Sequence, residues 1–491
     1  METIKIALRN HSYLMVSADR DIQYELKDYF TFDIPGAKYT PKFKAGIWDG
    51  TISLYNTSKS QLYAGVLSEL EKFCEDRDYK LEFVDSEEYG SPKQVHDLTD
   101  TELSDFIKTL ELPFEVRDYQ FNAVHTAIQN KRNVILSSTG SGKSLIIYIM
   151  TRYLVDELDN NVLIVVPTTT LVHQMTGDFE SYGYDVSLVH KIMSGAEKNT
   201  EKKVVISTWQ SLMRLPPEWF SRFKVAIIDE CHGCQSTELT KLLEKCTNAE
   251  FRYGLTGSLD NSKTHQMSIK GNLGPIFRVT ETHKLISQGH LSEIKIKALV
   301  LDYSRETKKL MAKQNYPDEI DFIVRHEKRN RFICNLARSL KGNTLILYNF
   351  IEKHGDVLDV MLREKISEGQ YFYIHGGVDG EDRNQIRGIV EESENAVILA
   401  SMGTFSVGVN LKRLHNLILA SPTKSVIRVL QSIGRGLRKG EGKDKLTVFD
   451  IADDLSNSKT AKNFAYKHFV ERLKIYTNES FPYTITTVPI E

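Results

Sequence analysis

Cysteine is sparse in this chain, with five residues among 491. So thin and odd a count argues against a disulfide framework and suits a reducing compartment, so the expected location is cytoplasmic. Long apolar runs are missing too. None approaches the ~18 residues a membrane-spanning helix needs, and the N-terminus has no signal-peptide pattern. No membrane partner is expected. Nor is there an excess of one charge: 63 Lys and Arg stand against 65 Asp and Glu, a net −2. A basic coat is excluded, so any nucleic-acid surface has to be a local groove. Low-complexity tracts and short internal repeats are absent. The composition, 41% hydrophobic and 26% charged, is that of a globular chain, and its length suits roughly three domains.

The chain is organised around Ser137-Ser138-Thr139-Gly140-Ser141-Gly142-Lys143-Ser144. Apolar runs at 133–136 and 145–150 flank it, which predicts a strand, a tight loop and a helix. Glycines let such a loop wrap phosphate oxygens, and the amides and dipole of the new helix favour their charge. Thr139, Gly140, Ser141 and Gly142 would cradle the nucleotide. Lys143 would reach the β- and γ-phosphates, and the Ser144 hydroxyl would bind Mg²⁺. Ser137 stands where the usual loop has its first glycine.

Residues 1–90 read as a small α+β module. Alternation over 3–8 and 13–16 predicts strands, and Ile22, Leu26 and Phe30 mark one helical face. The segment 38–50 is basic and aromatic and contains Lys42, Lys44 and Trp48, with Asp49-Gly50 as a turn signal. It has two readings. One is a solvated hairpin with Trp48 in the core. The other is a nucleic-acid surface, with lysines on phosphates and aromatics available for stacking. Residues 91–112 are polar and acidic and read as a linker holding one short helix.

From 113 to 290 strand and helix patterns alternate, which predicts a parallel sheet covered by helices. Arg117-Asp118-Tyr119-Gln120 opens a helix ahead of the phosphate loop, and a glutamine amide can pair with an adenine edge. Pro167-Thr168-Thr169-Thr170 and Ser207-Thr208-Trp209-Gln210 each follow a buried strand. Hydroxyls there suit phosphate contacts, or else ordinary helix caps. A further strand runs into Asp229-Glu230-Cys231-His232. Two acids at a buried strand end are costly unless they bind metal or catalyse. Asp229 would hold Mg²⁺, and Glu230 would position or deprotonate the attacking water. Cys231, Cys234 and Cys246 lack a second ligand pair at zinc spacing, so Cys231 belongs with the acidic motif. The hydroxyls of Thr256 and Ser258 could bridge that motif to nucleic acid.

A second α/β unit, 291–455, has no phosphate loop of its own. Near its end Arg435 and Arg438, three apart, predict a shared helical face. Across a cleft they could pair with a γ-phosphate; the plainer reading is a basic surface helix. Residues 456–491 give a helix and a β-rich tail.

Taken in order over 113–450, these motifs resemble the superfamily 2 helicases and translocases. Trp48-Asp49-Gly50, Val166-Pro167-Thr168-Thr169-Thr170, Thr208-Trp209-Gln210, Asp229-Glu230-Cys231-His232 and the stretch 431–438 resemble the phage UvsW branched-DNA helicases within that superfamily. The resemblance implies an α/β fold of two tandem RecA-like parallel-sheet domains with ATP and Mg²⁺ between them. A small N-terminal α+β DNA-binding module precedes them. It implies arginine-finger roles for Arg435 and Arg438, places Gln431 near the γ-phosphate, and sets Arg117, Gln120, Gly408 and Asn410 by the nucleotide. Thr168, Thr169, Ser207, Thr208, Ser401 and Thr404 would follow the DNA backbone, and Lys42, Lys44 and Trp48 would meet branched DNA. Two positions depart from the pattern: Ser432 where many relatives have Arg, and Asn410 where many have Asp.

The implied activity is that of an ATP-dependent DNA helicase. It would remodel forks, Holliday junctions and R-loops in phage recombination, repair and replication control. It would work as a monomer on single-stranded and branched DNA, beside other phage replication and recombination proteins, in the host cytosol. Three rivals stand beside it: the motor subunit of a restriction system, an RNA helicase, and a non-catalytic nucleic-acid scaffold with a decayed ATP site. Intact Lys143, Ser144, Asp229, Glu230, Arg435 and Arg438 argue against the last.

Overall fold

A computed structural model describes residues 2–490 except 236, 261, 367–369, 379, 409–410, 412, 424, 441 and 459. It divides into two compact units, Met1–Ser137 with Gly142–Thr280, and Glu281–Glu491 with Ser138–Ser141.

The first unit opens with a five-stranded sheet in the order Tyr55–Asn56, Gln61–Tyr63, Tyr13–Ser17, Thr3–Asn10, Lys80–Val84. Period-two alternation puts Ile4, Ile6, Leu14 and Val16 on the buried face. Ile22 and Leu26 of helix Arg20–Tyr29 and Leu70 and Phe73 of helix Leu67–Glu75 join them in one core. A separate antiparallel ribbon, Thr31–Asp33 with Thr51–Ser53, carries the segment 34–50 as an excursion. Asp49-Gly50 is therefore the return of this excursion, not the apex of a hairpin. The Asp49 carboxylate accepts from the Thr51 amide (3.0 Å) and hydroxyl (2.9 Å), which fixes the return.

A seven-stranded parallel sheet follows, in the order Val189–Ile192, Val204–Thr208, Val162–Val166, Val225–Asp229, Phe251–Thr256, Arg132–Ser137, Ile276–Thr280. Its inner strands are apolar on both faces, as a sheet sandwiched between helices requires. Ile135, Ile164, Ile206 and Ile227 feed one core, while Val134, Leu163, Val205 and Ile228 feed the other. Helix Asp100–Thr109, in the polar segment before the sheet, is capped reciprocally by Thr99 and Glu102. It sends Leu103 and Phe106 into the first of these cores.

The second unit is again a seven-stranded parallel sheet, ordered Tyr371–Ile374, Val397–Ser401, Thr344–Tyr348, Asn416–Leu419, Lys445–Asp454, Glu293–Tyr303, Tyr483–Ile490. The C-terminal strand closes one edge. Among the described residues, two ion pairs of this unit are fully buried. Arg329 Nε donates to Asp453 at 2.7 Å, and Arg472 Nη2 lies 2.8 Å from Asp450. The same guanidinia donate to the carbonyls of Ala420 (2.7 Å) and Thr423 (2.8 Å), which pins the chain just before helix Val426–Gly436. Arg472→Met would leave Asp450 buried without its cation, at an expected cost of about 3–5 kcal/mol. Denaturant unfolding checks this; an unchanged midpoint would refute it.

Candidate active site

The loop leaves strand Arg132–Ser137 and enters helix Lys143–Asp156. Its left-handed positions are Gly140 (φ 86°) and Gly142 (φ 85°). Ser137 is still part of the strand, paired with Thr280, so its extended backbone does not need the glycine that the usual loop has there. Gly142 is required twice over, because a Cβ on it would sit 2.4 Å from Gln120 Nε2. Gln120 reaches the loop from the first turn of helix Asp118–Asn130, where its Oε1 accepts from the Arg117 amide at 3.0 Å. Arg117 donates to Tyr119 Oη at 2.9 Å.

Because the sheet is parallel, the C-terminal ends of its strands share one edge, the usual place for a ligand in such folds. That edge gathers Ser137, Thr256 and Asp229 on three successive strands. Glu230, just past its strand, has φ 52°. A non-glycine residue held in that region costs on the order of 1–3 kcal/mol, and such strain concentrates at functional sites. Its carboxylate is held on several sides. Oε2 accepts from Thr256 Oγ1 at 3.3 Å and lies 3.2 Å from His232 Nδ1, while Oε1 is 4.0 Å from Lys143 Nζ. Asp229 Oδ1 accepts from the Glu230 amide at 3.0 Å. Desolvation, and then the Glu230 charge beside it, push the Asp229 carboxyl well above the ordinary carboxylate range. A cation at this spot would reverse that shift. The nearby Ser144 hydroxyl, 3.0 Å from Tyr182 Oη, and the Asp229 carboxylate are hard oxygen donors of the kind Mg²⁺ takes.

The Thr256 hydroxyl, read from sequence as a bridge toward nucleic acid, lies beside the acid itself and shares its one proton between Glu230 Oε2 and the Ser258 carbonyl, 3.0 Å away. Tyr182 and His265, which donates to or accepts from the same neighbourhood, carry no local sequence signal. Their partners lie 38 and 33 residues away.

The expected DNA contacts differ in exposure. Thr168 caps helix Thr169–Ser181, its Oγ1 accepting from the Leu171 amide at 3.4 Å, and Thr169 is exposed. Ser207 is fully buried and donates to the Ile192 carbonyl at 2.9 Å; Thr208 Oγ1 lies 3.0 Å from Ser211 Oγ. Lys42 and Lys44 are exposed on the short helix Pro41–Lys44. Trp48 is half-buried and donates its indole N–H to Thr51 O at 2.8 Å. The exposed apolar groups of the same excursion are Tyr39, 71% exposed, Ile47, 78% exposed, and Phe43.

In the second unit Gln431 and Arg435 lie on helix Val426–Gly436, but Leu437 caps that helix. Arg438 therefore follows in the exit turn, its amide bonded to Arg435 O at 3.4 Å, and does not share a helical face with Arg435. Arg435 donates to the Phe405 carbonyl, with its guanidinium 5.7 Å from the Phe405 ring centre. Ser432 is buried and donates to Arg428 O at 2.8 Å. Ser401 Oγ and Thr404 Oγ1 lie 2.7 Å apart, both buried. Gly408 ends helix Met402–Gly408, and Asn410 lies outside the described residues.

Cys231 and Cys246 are each buried in the core of the first unit. Among the described residues no group of three or more His, Cys, Asp and Glu side chains is gathered as for a metal ion. Among them, too, no helix is long and apolar enough to cross a membrane.

A phosphate loop and a strained strand-end acid on one RecA-like sheet, with a second such sheet next in the chain, define a superfamily 2 motor ATPase. Comparison with known proteins narrows the class. Residues 3–85 match the family described as DNA helicase UvsW, N-terminal; 113–261 match type III restriction enzyme, res subunit; and 327–440 match the helicase conserved C-terminal domain. The chain is 32% identical over 507 aligned residues to the ATP-dependent DNA helicase uvsW of Enterobacteria phage T4, covering 99% of each chain. The crystal structure of T4 UvsW aligns over 100% of both chains at 30% identity, with a TM-score of 0.51. A fragment of a putative HsdR subunit of a type I restriction enzyme from Vibrio vulnificus YJ016 aligns at 16% identity with a TM-score of 0.57. It covers 90% of this chain and 86% of its own, and shows the shared fold. The chain belongs to the UvsW helicase family.

Proposed function

We propose that this protein is an ATP-dependent DNA helicase that hydrolyses Mg²⁺-bound ATP to move along one DNA strand and remodel forks, Holliday junctions and R-loops. Kinship with a helicase over the full length of both chains supports the motor. The observation that carries the hydrolytic chemistry is Glu230, at positive φ, with its carboxylate against Thr256 and His232 and Lys143 at 4.0 Å.

Each residue then has a role. Gln120 and Arg117 receive the base end of the nucleotide. The loop amides of 139–144 and Lys143 hold the β- and γ-phosphates. Ser144 and Asp229 would hold the magnesium ion, which supplies charge neutralisation at the phosphate oxygens. Glu230 accepts a hydrogen bond from the attacking water, orients it toward the γ-phosphorus and takes its proton. Arg435 and Arg438 bring positive charge to the transferred group, with Gln431 beside it and Gly408 and Asn410 on the nucleotide. Release of phosphate ends that contact, and the change drives alternating grip on DNA. Thr168, Thr169 and Thr208 from one unit and Ser401 and Thr404 from the other follow the backbone, so movement is independent of sequence, while Ser207, fully buried on the Ile192 carbonyl, supports its strand end.

The excursion 34–50 selects branched DNA in this reading. Lys42 and Lys44 face phosphates, and Trp48 braces the tip from which Tyr39 and Ile47 project. The setting is phage recombination, repair and replication control in the host cytosol, as a monomer alongside phage replication proteins. Lys42→Ala with Lys44→Ala is expected to weaken forked-DNA binding and lower its salt slope by about 2, with little change in ATPase on single strands. Equal loss of both activities would refute the assignment. The function itself is tested by ATP-driven conversion of a labelled four-way junction to duplex. The parent protein should do this and Lys143→Ala should not.

A further inference from the structure

The N-terminal module is bolted to the two helices that follow the Asp229-Glu230-Cys231-His232 motif. Helix Thr237–Lys245 ends on it: Tyr63 Oη donates to Glu244 Oε1 at 2.5 Å, and Ser12 Oγ donates to the Leu243 carbonyl at 3.4 Å. Helix Lys263–Leu273 is embedded more deeply. Met267 lies in the module's own core, and Lys270 pairs with Glu69 at 2.5 Å. At Gly65 the backbones approach so closely that a Cβ would sit 2.0 Å from Lys270 O.

Two adjacent residues of helix Lys263–Leu273 face different clients. His265 Nε2 lies 3.0 Å from the His232 carbonyl, so that nitrogen carries the proton. The His232 ring, in turn, lies 3.2 Å from Glu230 Oε2. Thr264 Oγ1 donates to the Asp33 carbonyl at 2.6 Å. Asp33 is the last ribbon residue before the excursion, and Ile34 and Gly50 close the root with an amide-to-carbonyl bond of 2.9 Å. His265 is buried, and its Nδ1 has no hydrogen-bond partner among the described residues. A buried unsatisfied nitrogen is an expensive way to fill a core position that an apolar residue could occupy. Its return is a bond to the backbone of the hydrolytic motif.

We infer that helix Lys263–Leu273 is a coupling element, in which His265 senses the position of the Glu230–His232 pair and Thr264 passes it to the root of the 34–50 tip. His265 and Thr264 are positioning residues that touch no nucleotide. Water activation requires the Glu230 carboxylate to settle on the attacking water, and His232, 3.2 Å from that carboxylate, moves with it. Both residues stand in the first turn of one hydrogen-bonded helix, so a displacement at His265 is carried to its neighbour Thr264. This deepens the branched-DNA reading, because it gives the tip a way to respond to the nucleotide state.

Hydrogen–deuterium exchange is followed at residues 31–53 with and without Mg²⁺ and ADP–beryllium fluoride, with no DNA present. The full-length parent is expected to change exchange there on nucleotide binding. His265→Ala and Thr264→Val are expected to shrink that change about fivefold or more, and Thr264→Val, which touches no part of the hydrolytic motif, keeps ATPase without DNA. His265→Gln, which retains an N–H at the same reach, should restore it. Thr264 is half-buried, so its variant keeps the test open if His265→Ala folds poorly. A nucleotide response absent from the parent, or undiminished in both variants, overturns the coupling. ATPase on forked against linear DNA is measured alongside. A parent that couples but shows no preference for forks sinks the branched-DNA reading and leaves the coupling standing.

Discussion

Glu230→Gln is expected to bind ATP and to hydrolyse it about 10²–10⁴-fold more slowly than the parent. The substitution keeps the shape and one acceptor, so the bond from Thr256 Oγ1, 3.3 Å in the parent, survives. What it removes is the negative charge and the basic oxygen that would take a proton from water in the proposed mechanism. It should also relieve Asp229. The Glu230 charge is the second cause, after desolvation, of the raised Asp229 pKa, so its removal favours the anion that would hold a cation. Nucleotide affinity is therefore expected to stay level or tighten while turnover falls. Fluorescent-nucleotide titration with single-turnover hydrolysis separates the two. Turnover near the parent rate would place the general base elsewhere.

Lys143→Ala is the second large effect. The Lys143 ammonium is 3.5 Å from the Ser137 carbonyl and 4.0 Å from Glu230, and its side chain is 13% exposed. The side chain is mostly buried, but its charged end faces Glu230 and it belongs to neither hydrophobic core of this sheet. Alanine at the first position of helix Lys143–Asp156 suits the helix at least as well. The fold should persist, with loss confined to the phosphates. Removing one preorganised donor to a developing charge costs about 10²–10³-fold in rate, and a full cation costs more. The expected protein is folded, melts near the parent and shows no measurable ATPase. Normal turnover would remove Lys143 from the site.

Much of this was legible in the sequence because it is local. Gly140, Gly142 and Lys143 are contiguous, and their conformations follow from residue type. The buried strands announced themselves as apolar runs ending in Thr168, Thr208, Asp229 and Thr256. The geometry that escaped is non-local or hangs on helix ends. Arg438 lies three residues after Arg435, but the helix stops at Gly436; the glycines at 434 and 436 are the stop signal, and the three-residue spacing of the arginines masks it. Asp49-Gly50 looks like a hairpin turn, yet the ribbon pairs Asp33 with Thr51 across a long excursion. Trp48 drew attention by its size, while Ile47, more exposed, looked ordinary. The contacts of His265 and Tyr182 depend on how helices stack on the sheet, which pattern alone does not encode.

The central claim is a DNA-stimulated motor that favours branches. Steady-state ATPase tests it most directly, measured in parallel without nucleic acid and with single-stranded DNA, duplex, forked DNA, a four-way junction and RNA. The account predicts low turnover alone and the strongest stimulation by the forked and four-way substrates. Stimulation by RNA alone, or no turnover under any condition, would contradict it.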